Sequence, residues 1–289
     1  MSEEKSPFVV SADWLESRLS EHHIRVVDAS WYLPAQNRNG RAEYEAGHIP
    51  GAVFFDQDEI ADKTTGLPHS VPTPEAFAEA VGALGLADDD TMVVYDGPGL
   101  FSAPRVWWLL RIMGARHVLL LDGGLDGWKR EGRPLETGTT TLAPATFTPD
   151  YRAEAVTSFE AMRTIVSEGA VQIADARGPG RFFGTEAEPR PGMRSGHMPG
   201  ALNLPAGSFA SEGRLKPLGD LKALITEAGI DLDRPVVTSC GSGVTAAIIT
   251  LALHSLGHTD NTLYDGSWSE WGSRSDTPVT TEPTQTKNG

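Results

Sequence analysis

Residues 47–52 read Gly47-His48-Ile49-Pro50-Gly51-Ala52, and residues 196–201 repeat them almost letter for letter as Gly196-His197-Met198-Pro199-Gly200-Ala201. Outward from this pair the correspondence continues. Asp28-Ala29-Ser30 after the apolar IRVV answers to Asp175-Ala176-Arg177 after VQIA. Leu121-Asp122-Gly123-Gly124 with Trp128 answers to Tyr264-Asp265-Gly266-Ser267 with Trp271. The offsets of 149, 147 and 143 residues are close enough to mean one domain present twice. Within each copy, β-rich runs alternate with helical ones: MVVY, APRVWWLLRIMG and HVLLLD in the first, PVVTS, VTAAIITLALHSLG and NTLYD in the second. That alternation predicts an α/β fold of two tandem domains, each a parallel sheet flanked by helices. The expected boundaries are 8–134 for the first domain, 135–156 for a Thr/Pro-rich linker, 157–275 for the second domain and 276–289 for a flexible polar tail.

Bulk properties narrow the function. A length of 289 residues lies where single cores stop growing, which suits two domains. No uninterrupted apolar run approaches the roughly 18 residues of a membrane span. Lys and Arg total 24 against 39 Asp and Glu, and the net charge of −15 opposes nucleic acid and anionic membranes as partners. A small anionic substrate therefore needs a local cationic pocket. MSEEKSP at the start has neither the apolar stretch of a secretory signal nor the arginines of a transit peptide, so a cytoplasmic setting is expected. The single cysteine excludes an intrachain disulfide and leaves its thiol for chemistry. His22-His23 have no ligand-spaced companions, and neither a metal nor an organic cofactor is expected.

That cysteine opens Cys240-Gly241-Ser242-Gly243-Val244-Thr245, between the strand PVVTS and an apolar helix that Gly257 ends. Ligands of open α/β sheets sit beyond the carboxyl ends of strands, so Cys240 faces the expected site. Gly241 and Gly243 let the backbone curl into an anion nest, and the helix behind adds partial positive charge. Both features favour a nucleophilic thiolate, and the amides of Gly241, Ser242, Gly243, Val244 and Thr245 suit a bound persulfide anion. A lone cysteine under a glycine turn is more commonly a small packing residue. Here the strand-to-helix placement argues otherwise, as does the first copy's matching loop, Asp96-Gly97-Pro98-Gly99-Leu100-Phe101-Ser102-Ala103-Pro104-Arg105, which lacks a cysteine. The first copy is expected to be catalytically silent.

The paired HIPGA-type motifs, the DGG and DGS motifs with their Trp, and the CGSGVT loop together resemble the tandem-domain rhodanese family over about residues 8–272. Within that family the loop is similar to that of the members using 3-mercaptopyruvate, whereas thiosulfate-preferring members usually carry basic residues just after the cysteine. The resemblance implies a sulfurtransferase that takes sulfur from a small anionic donor onto Cys240 and gives it to cyanide, a small thiol or a thioredoxin-like protein. It also implies that Arg181 and Arg190 bind the donor's carboxylate and keto oxygen. A guanidinium's planar fork of donors suits that task; the competing reading makes both arginines surface partners of Glu186 and Glu188. Finally, it implies that Ser242 pairs with His69 and Asp58, whose separation of 11 residues matches, in a proton relay with His69 near its ordinary pKa of about 6.5. A loop histidine is otherwise more often solvated.

Three alternatives stand beside this. A thiosulfate:cyanide sulfurtransferase uses the same persulfide with a dianionic donor. A phosphatase of the Cys-x5-Arg kind requires Arg where Ala246 stands. A non-catalytic sulfur-carrier or binding module predicts no turnover. His48 and His197, present in both copies, read as turn residues. Trp107, Trp108, Trp128, Trp268 and Trp271 read as core anchors.

Overall fold

Strands rich in β-branched residues and buried along nearly their whole length belong in the middle of a parallel sheet covered on both faces, and TMVVY and VVTS lie there. The structure, a computed structural model, describes residues 4–284. The first sheet contains β1 (Val9–Val10), β2 (Ile24–Asp28), β3 (Val53–Phe54), β4 (Thr91–Tyr95) and β5 (His117–Leu121), in the order β1-β5-β4-β2-β3. The second contains β6 (Val156–Thr157), β7 (Gln172–Asp175) and β8 (Ala201–Asn203); after the two-stranded hairpin of β9 (Ala210–Ser211) and β10 (Arg214–Leu215) come β11 (Val236–Ser239) and β12 (Asn261–Tyr264). Its order, β6-β12-β11-β7-β8, is that of the first sheet strand for strand, and every pairing within both five-stranded sheets is parallel.

Two helices join the copies. Ala103–Ile112 follows β4 and Ala246–Ser255 follows β11, and both are buried on nearly every side. A helix apolar all round needs cover all round. These two get it by packing on their own sheets and on each other, so Trp107, Trp108, Ile248 and Leu251 share one core. Phe8 and His254 set their rings 5.2 and 5.8 Å from the Trp107 ring centroid. Burying a large apolar side chain contributes about 1.5–3 kcal/mol, so this seam fixes the domains with respect to each other.

His48 and His197 are fully buried, and the Nδ1 of each lies 2.8 Å from a backbone carbonyl, that of Tyr44 or Phe182. The segment following each domain crosses its turn, Glu136 pairing with His48 and Thr280 with His197. The stretch 135–156 is irregular yet strapped down. Ala145 and Asp150 donate backbone N–H groups to the carbonyls of Gly82 and Met113, Phe147 enters the first core, and Val156 already belongs to β6.

The flexible tail expected at 276–289 is corrected as far as Thr284. Thr277 is buried with its carbonyl on Arg194, the Pro278 carbonyl accepts from Trp271 Nε1, and Thr284 Oγ1 donates to Ala201 O. Polar composition misled because these residues are held largely through their own backbone carbonyls, which accept from the Arg194 and Trp271 side chains, and through Thr284 on the 194–201 turn. Residues 285–289 lie outside the described part. Among the described residues no helix is long and apolar enough to cross a membrane, and no cluster of three or more His, Cys, Asp or Glu is arranged to hold a metal.

Candidate active site

Cys240 is the first residue past β11, 2% exposed, and it heads the six-residue loop to the helix at Ala246. Every anchor of this loop but one takes a carbonyl. Trp268 N–H donates to Cys240 O at 2.9 Å, and Ser269 donates to Gly241 O through both its N–H (2.8 Å) and its hydroxyl (2.7 Å). Arg105 Nη1 reaches Gly243 O at 3.4 Å. With carbonyls held outward, the N–H side is left for the cleft. Among the described residues, no N–H from Gly241 to Thr245 donates to a protein acceptor, and Thr245 gives the helix no side-chain cap. Unspent amides at a helix N-terminus are an anion site. Gly243 stands at φ +79°, the left-handed turn the cup needs, and a Cβ on Gly241 would lie 2.9 Å from Arg181 Nη2.

The remaining anchor is Cys240 N–H, which donates to Ser267 Oγ at 3.2 Å, while Ser267 Oγ–H donates to Tyr264 O at 2.8 Å. Ser267 holds φ +48°, where the first copy has Gly124 at φ +57°. A side chain in the left-handed region is strained, and the hydroxyl's two bonds offset that strain. The change from DGG to DGS was visible in the sequence and pointed to this residue.

A cavity of about 460 Å3 opens in front of Cys240 between the domains. The second domain lines it with the loop, Arg181 and Arg190; the first adds Trp31, Leu33, Leu100 and Phe101, with the Trp31 and Phe101 rings near parallel at 6.2 Å. The two arginines differ. Arg181 donates through Nε to Glu188 at 3.0 Å, and the same buried Glu188 accepts from Arg177 at 2.7 Å. Arg190 has no carboxylate within ion-pair distance among the described residues, only the Ser269 hydroxyl at 3.4 Å. Burial lowers the pKa of Arg190, with Arg181 adding to the effect while Cys240, Asp58 and Glu188 pull the other way. The competing surface-pair reading thus describes half of Arg181 and none of Arg190. Glu188 carried no signal of its own in the sequence.

Of the proton relay expected of Ser242, His69 and Asp58, the structure brings two members together and leaves the third apart. Asp58 Oδ1 and His69 Nδ1 come within 3.3 Å, but without hydrogen-bond alignment, and neither residue lines the Cys240 cavity. Trp31 is interposed: its Nε1 donates to Asp58 Oδ2 at 3.0 Å and its ring meets the His69 ring edge-on at 4.6 Å. Ser242 lines the cavity without a bond to His69. Nor does His69 titrate near neutrality. Burial, with repulsion from Arg105 and Arg190, pushes its pKa down to about 3, so it is neutral at cellular pH. Both its nitrogens, Gln57 Oε1 and Arg105 Nε have no hydrogen-bond partner among the described residues, and these three residues share a cavity of about 10 Å3, room for one water.

In the first copy the residue in the place of Cys240 is Asp96. Its carboxylate accepts from the N–H groups of Gly99 (2.6 Å), Phe101 (2.9 Å), Ser102 (2.7 Å) and Ala103 (2.7 Å), filling its own cup.

Comparison with known proteins agrees with this geometry. The rhodanese-like domain matches residues 11–131 and again 158–274. The 3-mercaptopyruvate sulfurtransferase of Escherichia coli K12 is 46% identical over 93% of this chain and 96% of its own. The mitochondrial thiosulfate/3-mercaptopyruvate sulfurtransferase 1 of Arabidopsis thaliana is 42% identical over 94% of this chain and 77% of its own. The crystal structure of SseA from Escherichia coli superposes with a TM-score of 0.84 at 43% identity, covering 90% of this chain and 98% of that one. With both domains matched and relatives well above 30% identity along nearly the whole length, the chain belongs to the rhodanese family, in its two-domain form.

Proposed function

We propose that this chain is a sulfurtransferase that takes sulfur from 3-mercaptopyruvate onto Cys240 as a persulfide, releases pyruvate and passes the sulfur to a thiophilic acceptor. The observation carrying the reading is the open amide cup around a lone cysteine, with the Arg190 guanidinium, which has no carboxylate partner among the described residues, in the same cavity. Arg190 and Arg181 orient the donor's carboxylate and keto oxygen, leaving its sulfur toward Cys240. The Cys240 thiolate attacks that sulfur. An S–S bond forms, the donor's C–S bond breaks, and its electron pair enters the keto group as pyruvate's enolate. The proton given up by the donor's thiol returns to carbon. Ser242 brings a hydroxyl to the same cavity, and Asp58 and His69 support the Trp31 wall.

The persulfide anion rests on the amides of Gly241 to Thr245 until an acceptor takes the outer sulfur: cyanide, yielding thiocyanate, a small thiol, or a thioredoxin-like protein. That chemistry calls on no metal or organic cofactor. A cytoplasmic setting suits one reactive thiol with no disulfide partner.

Thiosulfate is the second donor to weigh, because one relative's name carries both donors and two arginines suit a dianion. Against it, positions 241–245 hold no basic side chain. The test compares sulfur transfer to cyanide from 3-mercaptopyruvate and from thiosulfate at matched concentrations, in wild type and Cys240→Ser. Preference for 3-mercaptopyruvate that vanishes with the substitution is the expected result. Preference for thiosulfate keeps the persulfide and overturns the donor; inactivity with both leaves a binding module.

A further inference from the structure

Arg105 is fully buried, yet it belongs to the domain without a cysteine. Its guanidinium crosses the domain boundary. Nη2 donates to Asp265 Oδ1 at 2.7 Å and to the His69 carbonyl at 2.6 Å, and Nη1 reaches the Gly243 carbonyl at 3.4 Å. Asp265 in turn accepts the Val71 N–H at 2.8 Å, so the ion pair ties loops of both domains together. Its contact with the persulfide loop is close: a Cβ on Gly243 would lie 3.1 Å from Arg105 Nη1 and 3.0 Å from Asp265 O. At this contact Gly243 takes φ +79° and His69 takes φ +59°.

The pseudo-symmetric connection is built differently. Asp122, the counterpart of Asp265, accepts the Leu215 N–H at 3.2 Å and has Lys5 and Arg214 at 3.7 Å, with side chains 73% and 40% exposed. On that side the contact from the second domain is a backbone N–H and a solvated Arg214, with no buried guanidinium on Asp122. A buried guanidinium appears where the seam touches the cysteine loop, and desolvating a charge is costly enough that mere cohesion would be better served by an apolar side chain.

We propose that Arg105 is a positioning residue for sulfur transfer. With Asp265 it holds the Gly243 carbonyl away from the cavity, which keeps the amides of Gly241 to Thr245 turned toward the sulfur. The cysteine-less domain thereby sets the shape of the other domain's catalytic loop. This rests on Cys240 carrying the sulfur, as proposed above.

The test is the paired substitution Arg105→Met with Asp265→Asn, which removes both charges of the ion pair together and keeps a side-chain oxygen to accept the Val71 N–H. Thermal unfolding, the rate of persulfide formation on Cys240, and kcat and KM are compared with wild type. The expected result is a folded protein whose kcat falls about 10-fold or more while KM for the donor stays within about twofold, because the loop is displaced and the donor-binding arginines are not. A role confined to holding the domains together predicts wild-type kcat in the folded fraction, and that outcome overturns the proposal. Should the pair not fold, Arg105→Lys keeps the buried charge, and an unchanged kcat in that variant is equally fatal. Absence of persulfide on wild-type Cys240 is a separate result, and it refutes the sulfur-carrying reading.

Discussion

After β4, the Asp96 carboxylate accepts four backbone N–H groups from its own loop; after β11, at the same place in the same fold, Cys240 stands over five N–H groups with no protein acceptor among the described residues. Burial raises the Asp96 pKa, and the amide bonds act in the opposite direction. The first copy demonstrates, with a resident anion, what this loop is built to bind. The second leaves the place open beside a free cysteine. On the proposed function, the two copies thus differ in whether the anion is built in or arrives with the substrate.

The comparison can be broken at its strongest point by Cys240→Asp, which copies the first loop's anion into the second. Sulfur transfer should fall by about 1,000-fold or more with the nucleophile gone, while the fold is kept or strengthened as the carboxylate takes up free amides. A variant that unfolds would contradict the equivalence of the two cups. In the first copy, Asp96→Ala leaves four buried N–H groups without an acceptor and should cost about 3 kcal/mol or more in urea unfolding. Asp96→Asn, which keeps one acceptor oxygen, should cost less.

The arginines sharpen the picture next. Arg190→Ala should raise KM for 3-mercaptopyruvate by more than Arg181→Ala does, on the order of 100-fold against 10-fold, because Glu188 already holds part of Arg181. Equal effects would mean that the ion pair opens on binding.

Acid stability gives a smaller signal. His69 and His254 are held neutral, with pKa values pushed by burial to about 3 and about 4, whereas unfolded they protonate near their ordinary 6.5. Each therefore contributes stability present above about pH 6.5 and lost as pH falls toward the folded value, at about 1 kcal/mol per pH unit. Asp28, pushed up by burial to about 6, works in the opposite sense between about pH 6 and 4. Unfolding at pH 7 and pH 5 should show His254→Gln losing less stability than wild type; an identical loss would mean that His254 is solvated. Smallest of all, Ser267→Gly relieves a strained φ but drops the bond to Cys240 N–H, so stability should change by under about 1 kcal/mol while persulfide formation slows. Unchanged formation would remove Ser267 from the loop's support.

Repetition made the fold legible, because GHIPGA and GHMPGA fix equivalent turns and the alternating runs around them could only make two parallel sheets. Cys240 and its glycines were legible for the same reason: a strand-to-helix loop has one location. What escaped was whatever depended on the two copies meeting. Nothing in APRVWWLLRI marks Arg105 as reaching Gly243 in the other domain, and the 11-residue spacing of Asp58 and His69 brought them together without placing them in the cavity. Nor could spacing foresee the cationic, buried surroundings that lower the His69 pKa and hold its ring neutral. The polar residues 276–284 read as loose because much of what holds them is their own backbone, whose Thr277 and Pro278 carbonyls accept from the Arg194 and Trp271 side chains, and backbone groups leave no imprint on composition.

Mass measurement of the Cys240 peptide, after brief incubation with 3-mercaptopyruvate and no acceptor, bears most directly on the claim that the open cup holds sulfur on this residue. The account predicts that the peptide gains one sulfur atom, that pyruvate appears in equal amount, and that the gain disappears on adding cyanide. Pyruvate release with the peptide unmodified would contradict it.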